Sequence, residues 1–156
     1  MHSPKVSRRE VRVHVAAPCE NVLGESPVWS ECERALYWTD IRAPALFRLD
    51  TRSGEVERWS MPELAGSVVL RGSGGVIVGL QSGLYSFHPG TQPLDRYLEF
   101  PGRHPDDRTN DARCDRQGRL WFTRMRDFGK ASTGGLYRLD ASGDPVELIS
   151  GVTIPN

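Results

Sequence analysis

Three residues far apart in this chain offer hard oxygen donors close to where strands are expected to start. Glu25 stands in the run GESP, Asn110 in RTND, and Asn156 closes the segment GVTIPN. Together they supply one carboxylate and two amide carbonyl oxygens. That set suits Ca²⁺, Mg²⁺ or Mn²⁺ better than a thiolate-seeking metal, and Zn²⁺ stays open because geometry and availability also decide what binds. Taken singly, each residue has a plainer reading. Glu25 could cap a turn, Asn110–Asp111 is a common turn pair whose side chains bond their own backbone, and Asn156 alone says nothing. Their joint placement carries the metal reading, because each precedes or opens a candidate inner strand of a different sequence repeat.

Other chemistries find little support. There is no GxSxG nucleophile elbow, no GxxxxGK loop and no GxGxxG after a strand; Gly72–Gly75 reads as a hairpin turn. Cys19, Cys32 and Cys114 are odd in number, widely spaced and free of any CxxC pattern. They read as free thiols in a reducing cytoplasm rather than a zinc cage or disulfide framework. His104, in the loop before Arg108, reads as solvated, and His14 and His88 as structural. The four tryptophans (Trp29, Trp38, Trp59 and Trp121) read as core.

The elements that must position these residues are short strands. Runs rich in Val, Leu, Tyr, Trp and Phe, bounded by Gly, Pro, Asp and Ser, predict strands at Val11–Ala16, Ala35–Asp40, Leu46–Asp50, Val56–Ser60, Ser67–Leu70 and Val76–Leu80. Further strands are predicted at Leu84–His88, Leu94–Phe100, Asp111–Asp115, Leu120–Arg124, Leu136–Asp140 and Pro145–Ser150. No helical periodicity lasts beyond two turns, and 16 glycines and 11 prolines argue against long helices. The chain is read as all-β.

The strands repeat. LYWTD (Leu36–Asp40), VIVGL (Val76–Leu80) and LWFTR (Leu120–Arg124) read as inner strands. Each is followed by a related second strand, LFRLD, LYSFH or LYRLD. A spacing of about 40–45 residues is that of four-stranded propeller blades. Three copies cannot close a ring, so the expectation is an incomplete propeller of about three blades over residues 11–156. Residues 1–10 are expected to be disordered, and Gly151–Asn156 to open a fourth blade. A small β-sandwich is the structural alternative.

Bulk properties exclude several partners. The chain has 156 residues, 20 basic and 20 acidic, with no net formal charge, so no strong field draws in nucleic acid or an anionic membrane. No apolar run approaches the roughly 20 residues that span a bilayer. The N-terminus has charge but no apolar h-region, which argues against a secretory signal and for a cytoplasmic location.

Three motifs then carry a resemblance. LGESPVW (Leu23–Trp29) with YWTDI (Tyr37–Ile41) resembles the opening of the gluconolactonase / senescence-marker-protein / luciferin-regenerating-enzyme family. RTNDARCDRQGRLWFTRM (Arg108–Met125) is similar to that family's RxNDxxxDxxGRxWxGTM signature, and GVTIPN (Gly151–Asn156) to its IxxPNG segment. The three occur in the family's order.

The resemblance implies a six-bladed β-propeller that binds a divalent cation on its axis and hydrolyses a sugar lactone. It implies metal contacts from Glu25 and Asn156, a metal or water contact from Asn110, and substrate contacts from Arg108, Asn110 and Asp127. Ca²⁺ is the first expectation for the cation. The family's general-base aspartate would lie beyond Asn156, so the 156 residues alone are expected to be inactive. Thr123 and Arg124 depart from the family's glycine and threonine, and Ala112 from its glycine. The rival reading is a non-catalytic calcium-binding or interaction propeller, since fold alone does not assign chemistry.

Overall fold

The computed structural model describes residues 11–91, 93–129, 131–141 and 143–156. Twelve strands among them form three four-stranded antiparallel sheets, and within each sheet the strands lie in sequence order. The first sheet holds β1 (Gly24–Ser30), β2 (Ala35–Asp40), β3 (Ala45–Asp50) and β4 (Val56–Ser60). The second holds β5 (Ser67–Leu70), β6 (Val76–Gly79), β7 (Gly83–Phe87) and β8 (Asp95–Glu99). The third holds β9 (Asp107–Cys114), β10 (Leu120–Arg126), β11 (Gly134–Leu139) and β12 (Pro145–Val152). Among the described residues no helix is long and apolar enough to cross a membrane.

Strand periodicity explains how the sheets stack. Alternate side chains of a strand face opposite sides of its sheet. On β5 and β6, Val68, Val76 and Val78 pack toward the first sheet against Ala35, Tyr37 and Leu46. Their neighbours Val69 and Ile77 pack the other way, with Ala112, Leu120 and Phe122 of the third sheet. The second sheet is therefore covered on both faces, which is why VIVG is buried at every position. A third cluster, Trp38, Ala45, Phe47 and Leu49, lies apart from the first-to-second-sheet core, with Ala17 and Cys19 packed on it.

The second and third sheets meet at two glycines. A Cβ on Gly66 would overlap the Thr109 carbonyl oxygen, and one on Gly79 would meet Ser67 Oγ and Thr109 Oγ1. The missing side chains let β9 lie directly against β5, and this close approach seats Thr109, fully buried, beside Asn110.

Several expectations are corrected. The strands read as innermost are second in their sheets; β1, β5 and β9 come first. Val11–Ala16 is not a strand. It has the alternating pattern but no ladder partner among the described residues, and Val11, Val13 and Val15 are exposed. Conversely, β1 was concealed by turn-forming residues. Its ladder with β2 skips from Glu25 to Val28, and Ser26 takes φ 54°. Pro27 falls inside that bulge, where no ladder N–H is required. Gly151 and Val152 complete β12, with Val152 paired to Gly134, and residues 153–156 follow as an irregular segment. Trp29 is exposed rather than core, its indole donating to Glu31 at 2.6 Å. The N-terminal residues 1–10 lie outside the described residues.

Candidate substrate and metal site

The site is assembled from bulges and turns at strand ends. On β9 the ladder with β10 skips between Thr109 and Ala112, so Asn110 and Asp111 stand opposite Thr123 alone. The first strands of the first and third sheets thus both break register near a candidate site residue, just after Glu25 in one and at Asn110 in the other. A bulge re-aims side chains that a regular pleat would direct elsewhere.

A loop of the first sheet supplies a further residue. Asp40, at the end of β2 and buried, accepts N–H groups from Val22 (2.8 Å), Leu23 (3.1 Å), Arg42 (3.0 Å) and Ala43 (3.0 Å). Burial alone would raise its pKa, but the N–H donors, with Asn21, outweigh that and hold it below the usual carboxylate range. The ionised Asp40 fixes the turn that carries Arg42.

Arg42 reaches the third sheet. Its Nη1 and Nη2 donate to Asp127 Oδ2 and Oδ1 at 2.6 and 2.9 Å. Asp127 opens a single 3-10 turn after β10, and its Oδ1 also accepts from Arg108 Nε at 2.8 Å. The Asp127 and Arg108 side chains are only 5% and 6% exposed, against 27% for Arg42. Burial again opposes ionisation of Asp127, but the two guanidiniums prevail and pull its pKa down to about 2. Next to it Phe128 takes φ 60° and is exposed, with the Arg42 guanidinium 4.5 Å from its ring centroid.

Arg108 passes the connection on. Its Nη1 donates to the Thr109 carbonyl at 2.9 Å and to Asn110 Oδ1 at 2.8 Å. Asn110 Nδ2 donates to the Pro155 carbonyl at 2.8 Å and, at 3.5 Å, to Asn156 Oδ1. Thr123 Oγ1 also donates to Pro155 O at 3.2 Å, which secures the last residues against β10. The remaining nitrogen of Arg108, Nη2, makes no hydrogen bond to a described residue.

Of the five residues expected from sequence, four come together: Arg108, Asn110, Asp127 and Asn156. Their roles differ from a simple ring of ligand contacts. Both Asp127 oxygens are engaged by arginines, so it acts on Arg108 rather than presenting a free carboxylate. Glu25 stands apart from this hydrogen-bonded group. It is exposed near the start of β1, and its carboxylate has no hydrogen bond or ion pair to a described residue. Its neighbour Ser26 accepts from the Val68 N–H of β5 at 3.1 Å. Since Thr109 packs on the other side of β5, at Gly66, Glu25 and Asn110 flank the same end of that strand.

Among the described residues no three His, Cys, Asp or Glu side chains cluster to hold a metal. The donors that remain are one unengaged carboxylate and two amide oxygens, all hard, which fits a cation of the calcium type. Asn110 Oδ1 already accepts from Arg108, which leaves it one lone pair. Arg42 and Asp40 escaped the sequence reading, because nothing local marks a partner 85 residues away. A cleft of about 370 Å³ between the second and third sheets, lined partly by Val69, Ile77, Tyr97, Cys114 and Leu120, includes none of these site residues.

Known proteins resemble this chain over most of its length. A family model described as SMP-30/Gluconolactonase/LRE-like region matches residues 23–156. A 6-deoxy-6-sulfogluconolactonase of Pseudomonas putida is 40% identical over 136 residues, covering 87% of this chain and 47% of that protein. An L-arabinolactonase of Azospirillum brasilense is 36% identical over 129 residues, covering 80% and 42%. Among solved structures, a calcium-binding protein, regucalcin, from Agrobacterium tumefaciens superposes with a TM-score of 0.84 at 24% identity, over 91% of this chain and 48% of that one. The chain thus spans about half the length of the relatives it matches. The GESP bulge, the Arg108–Asp111 run and the terminal segment all fall within the matched span, and the chain belongs to the SMP-30/gluconolactonase/LRE-like family.

Proposed function

We propose that the complete protein carrying this chain hydrolyses a sugar lactone, and that the three sheets are consecutive blades of a six-bladed β-propeller. The blade reading is supported by three four-stranded meanders stacked face to face in sequence order, with β1, β5 and β9 adjoining. The single observation that carries the activity is Arg108. It is a buried guanidinium with two nitrogens pinned and the third without a hydrogen bond to a described residue, beside the junction of Asn110 and Asn156.

Each residue then has a task. Arg108 Nη2 donates to an oxygen of the lactone and orients it, a contribution that works through geometry. Glu25, Asn110 and Asn156 are the residues that would hold a divalent cation, Ca²⁺ first. When bound, the cation supplies Lewis acidity toward the ring carbonyl and lowers the pKa of a coordinated water. Asp127 keeps Arg108 in place. The general base, an aspartate by family resemblance, is not assigned to any of these residues. The 156 residues alone would form half of the tunnel wall and are expected to turn over little.

A lactone-opening assay on the full-length gene product, with chelator and then with added Ca²⁺, Mn²⁺, Mg²⁺ or Zn²⁺, tests the proposal. Cation-dependent opening of an aldonolactone is expected. Cation binding without turnover on any lactone would overturn the enzymatic reading in favour of a non-catalytic calcium-binding propeller.

A further inference from the structure

We infer that Arg42 is a positioning residue for Arg108, acting through Asp127 across the mouth of the site. The inference rests on the reading of Arg108 as the group that meets the lactone.

The geometry forms a continuous path. The backbone that carries Arg42 is itself fixed, because its N–H donates to Asp40 Oδ1 at 3.0 Å. Its guanidinium then grips both oxygens of Asp127, at 2.6 and 2.9 Å. A bidentate grip of this kind sets the plane of the carboxylate as well as its position. Asp127 passes that orientation to Arg108 Nε at 2.8 Å. With Nη1 held by Thr109 and Asn110, the guanidinium of Arg108 is pinned at both ends, and only Nη2 is left without a hydrogen bond to a described residue.

Asp127 would be a poor anchor without Arg42. It starts a short turn whose next residue, Phe128, sits in the left-handed region. A non-glycine residue there is strained and persists only when its surroundings hold it. Arg42 does so twice, by the ion pair and by stacking on the Phe128 ring at 4.5 Å. The charges also matter. Arg42 and Arg108 share the one carboxylate of Asp127, and a guanidinium can only donate. The group received by Arg108 Nη2 is therefore an electron-rich oxygen, such as a lactone carbonyl that gains negative charge as it is attacked.

A merely structural Arg42, tying the first sheet to the third, would lower stability and leave substrate binding alone. The test uses full-length protein with gluconolactone as probe. R42A is expected to raise KM about tenfold, the size of one displaced hydrogen bond, with kcat within about threefold. R42K restores one hydrogen bond but not the bidentate grip, and recovers part of the loss. In the R42A/D127N double variant KM rises no further than in the worse single variant, because both act on one path. A folded R42A with wild-type KM overturns the inference, and so does a double variant whose effects multiply. R42Q, which keeps most of the stem, replaces R42A if the latter does not fold. A second readout is independent of turnover. The ¹⁵N–¹Hε resonance of Arg108, assigned with R108K, is expected to stand apart in the wild type and to join the mobile arginines in R42A. An unmoved resonance overturns the relay whatever the protein does to lactones. A wild type inert on aldonolactones overturns the lactonase reading alone, and that resonance then decides the relay.

Discussion

Asn110 stands between a donor and an acceptor that fix its amide: Arg108 Nη1 gives to its Oδ1 at 2.8 Å, and its Nδ2 gives to the Pro155 carbonyl at 2.8 Å. A flipped amide would set Nδ2 against a guanidinium that can only donate, and Oδ1 against a carbonyl that can only accept. The orientation is therefore determined by chemistry. Asn110 does two jobs, holding Arg108 and docking the segment that carries Asn156.

Replacing Asn110 by aspartate separates these jobs. N110D keeps an acceptor for Arg108 but places a carboxylate oxygen beside Pro155 O, where a donor stood. The last residues should detach from β9, at a cost of about 1–3 kcal/mol for the opposed acceptors. Calorimetric titration of the full-length protein with Ca²⁺ is expected to show weaker binding despite the added negative charge. Tighter binding would mean that ligation of the cation by Asn110 outweighs its docking of Asn156.

Arg108 should not tolerate lysine. R108K keeps the charge but loses the planar fork that reaches Asp127, Thr109 and Asn110 together. A lysine held by Asp127 has no nitrogen left to point outward. We expect kcat/KM on the preferred lactone to fall about 10–100-fold, equivalent to about 1.4–2.8 kcal/mol. Steady-state kinetics beside a thermal melt decide it, and a folded R108K with full activity removes Arg108 from the substrate contacts.

The sequence made the all-β architecture legible because its signals are local. Strand β2, read as Ala35–Asp40, and the fully apolar VIVG of β6 announce themselves by composition and by bounding turns. Strand β1 did not, since GESP is written in turn residues and becomes a strand only because β2 lies beside it and a bulge absorbs Ser26 and Pro27. Val11–Ala16 failed in the opposite sense, with the right alternation but no strand beside it among the described residues. The site divides in the same way. Arg108, Asn110, Asp127 and Asn156 were found through ordered motifs. Arg42 was invisible, because its meaning lies in a partner brought close only by stacking three sheets.

That stacking depends on Gly66. A methyl group there would occupy the space of the Thr109 carbonyl oxygen, a backbone atom with no rotamer to escape into. G66A must push β9 away from β5, which disturbs the core shared by Val69, Ile77 and Phe122 and moves Asn110 with it. Overpacking of this sort costs about 1–3 kcal/mol. Urea unfolding should register the loss, while G54A, at an open turn with nothing within 4 Å, should cost less than G66A although its φ of 75° still carries strain. Equal losses in the two variants would mean that the close approach at Thr109 is unimportant.

Acid should release the arginine relay in a narrow window. The Asp127 carboxyl lies at about 2, against an ordinary value of 3.8, because burial is outweighed by Arg42 and Arg108. The folded chain therefore binds this proton less readily than the unfolded chain does, and ionised Asp127 stabilises the fold. The sign follows: the contribution is complete above about pH 4 and is lost as pH falls from there toward about 2. Asp40 and Asp107 shift in the same direction and add to the wild type's acid sensitivity. D127N isolates the part due to Asp127. It should be less stable than wild type at pH 7, and the gap should narrow as the pH approaches 2, where protonated Asp127 resembles the amide. Unfolding free energies from urea titrations at pH 7, 5, 4, 3 and about 2.5 provide the comparison. A gap that stays constant across this range would mean that Asp127 is not held ionised by its two arginines.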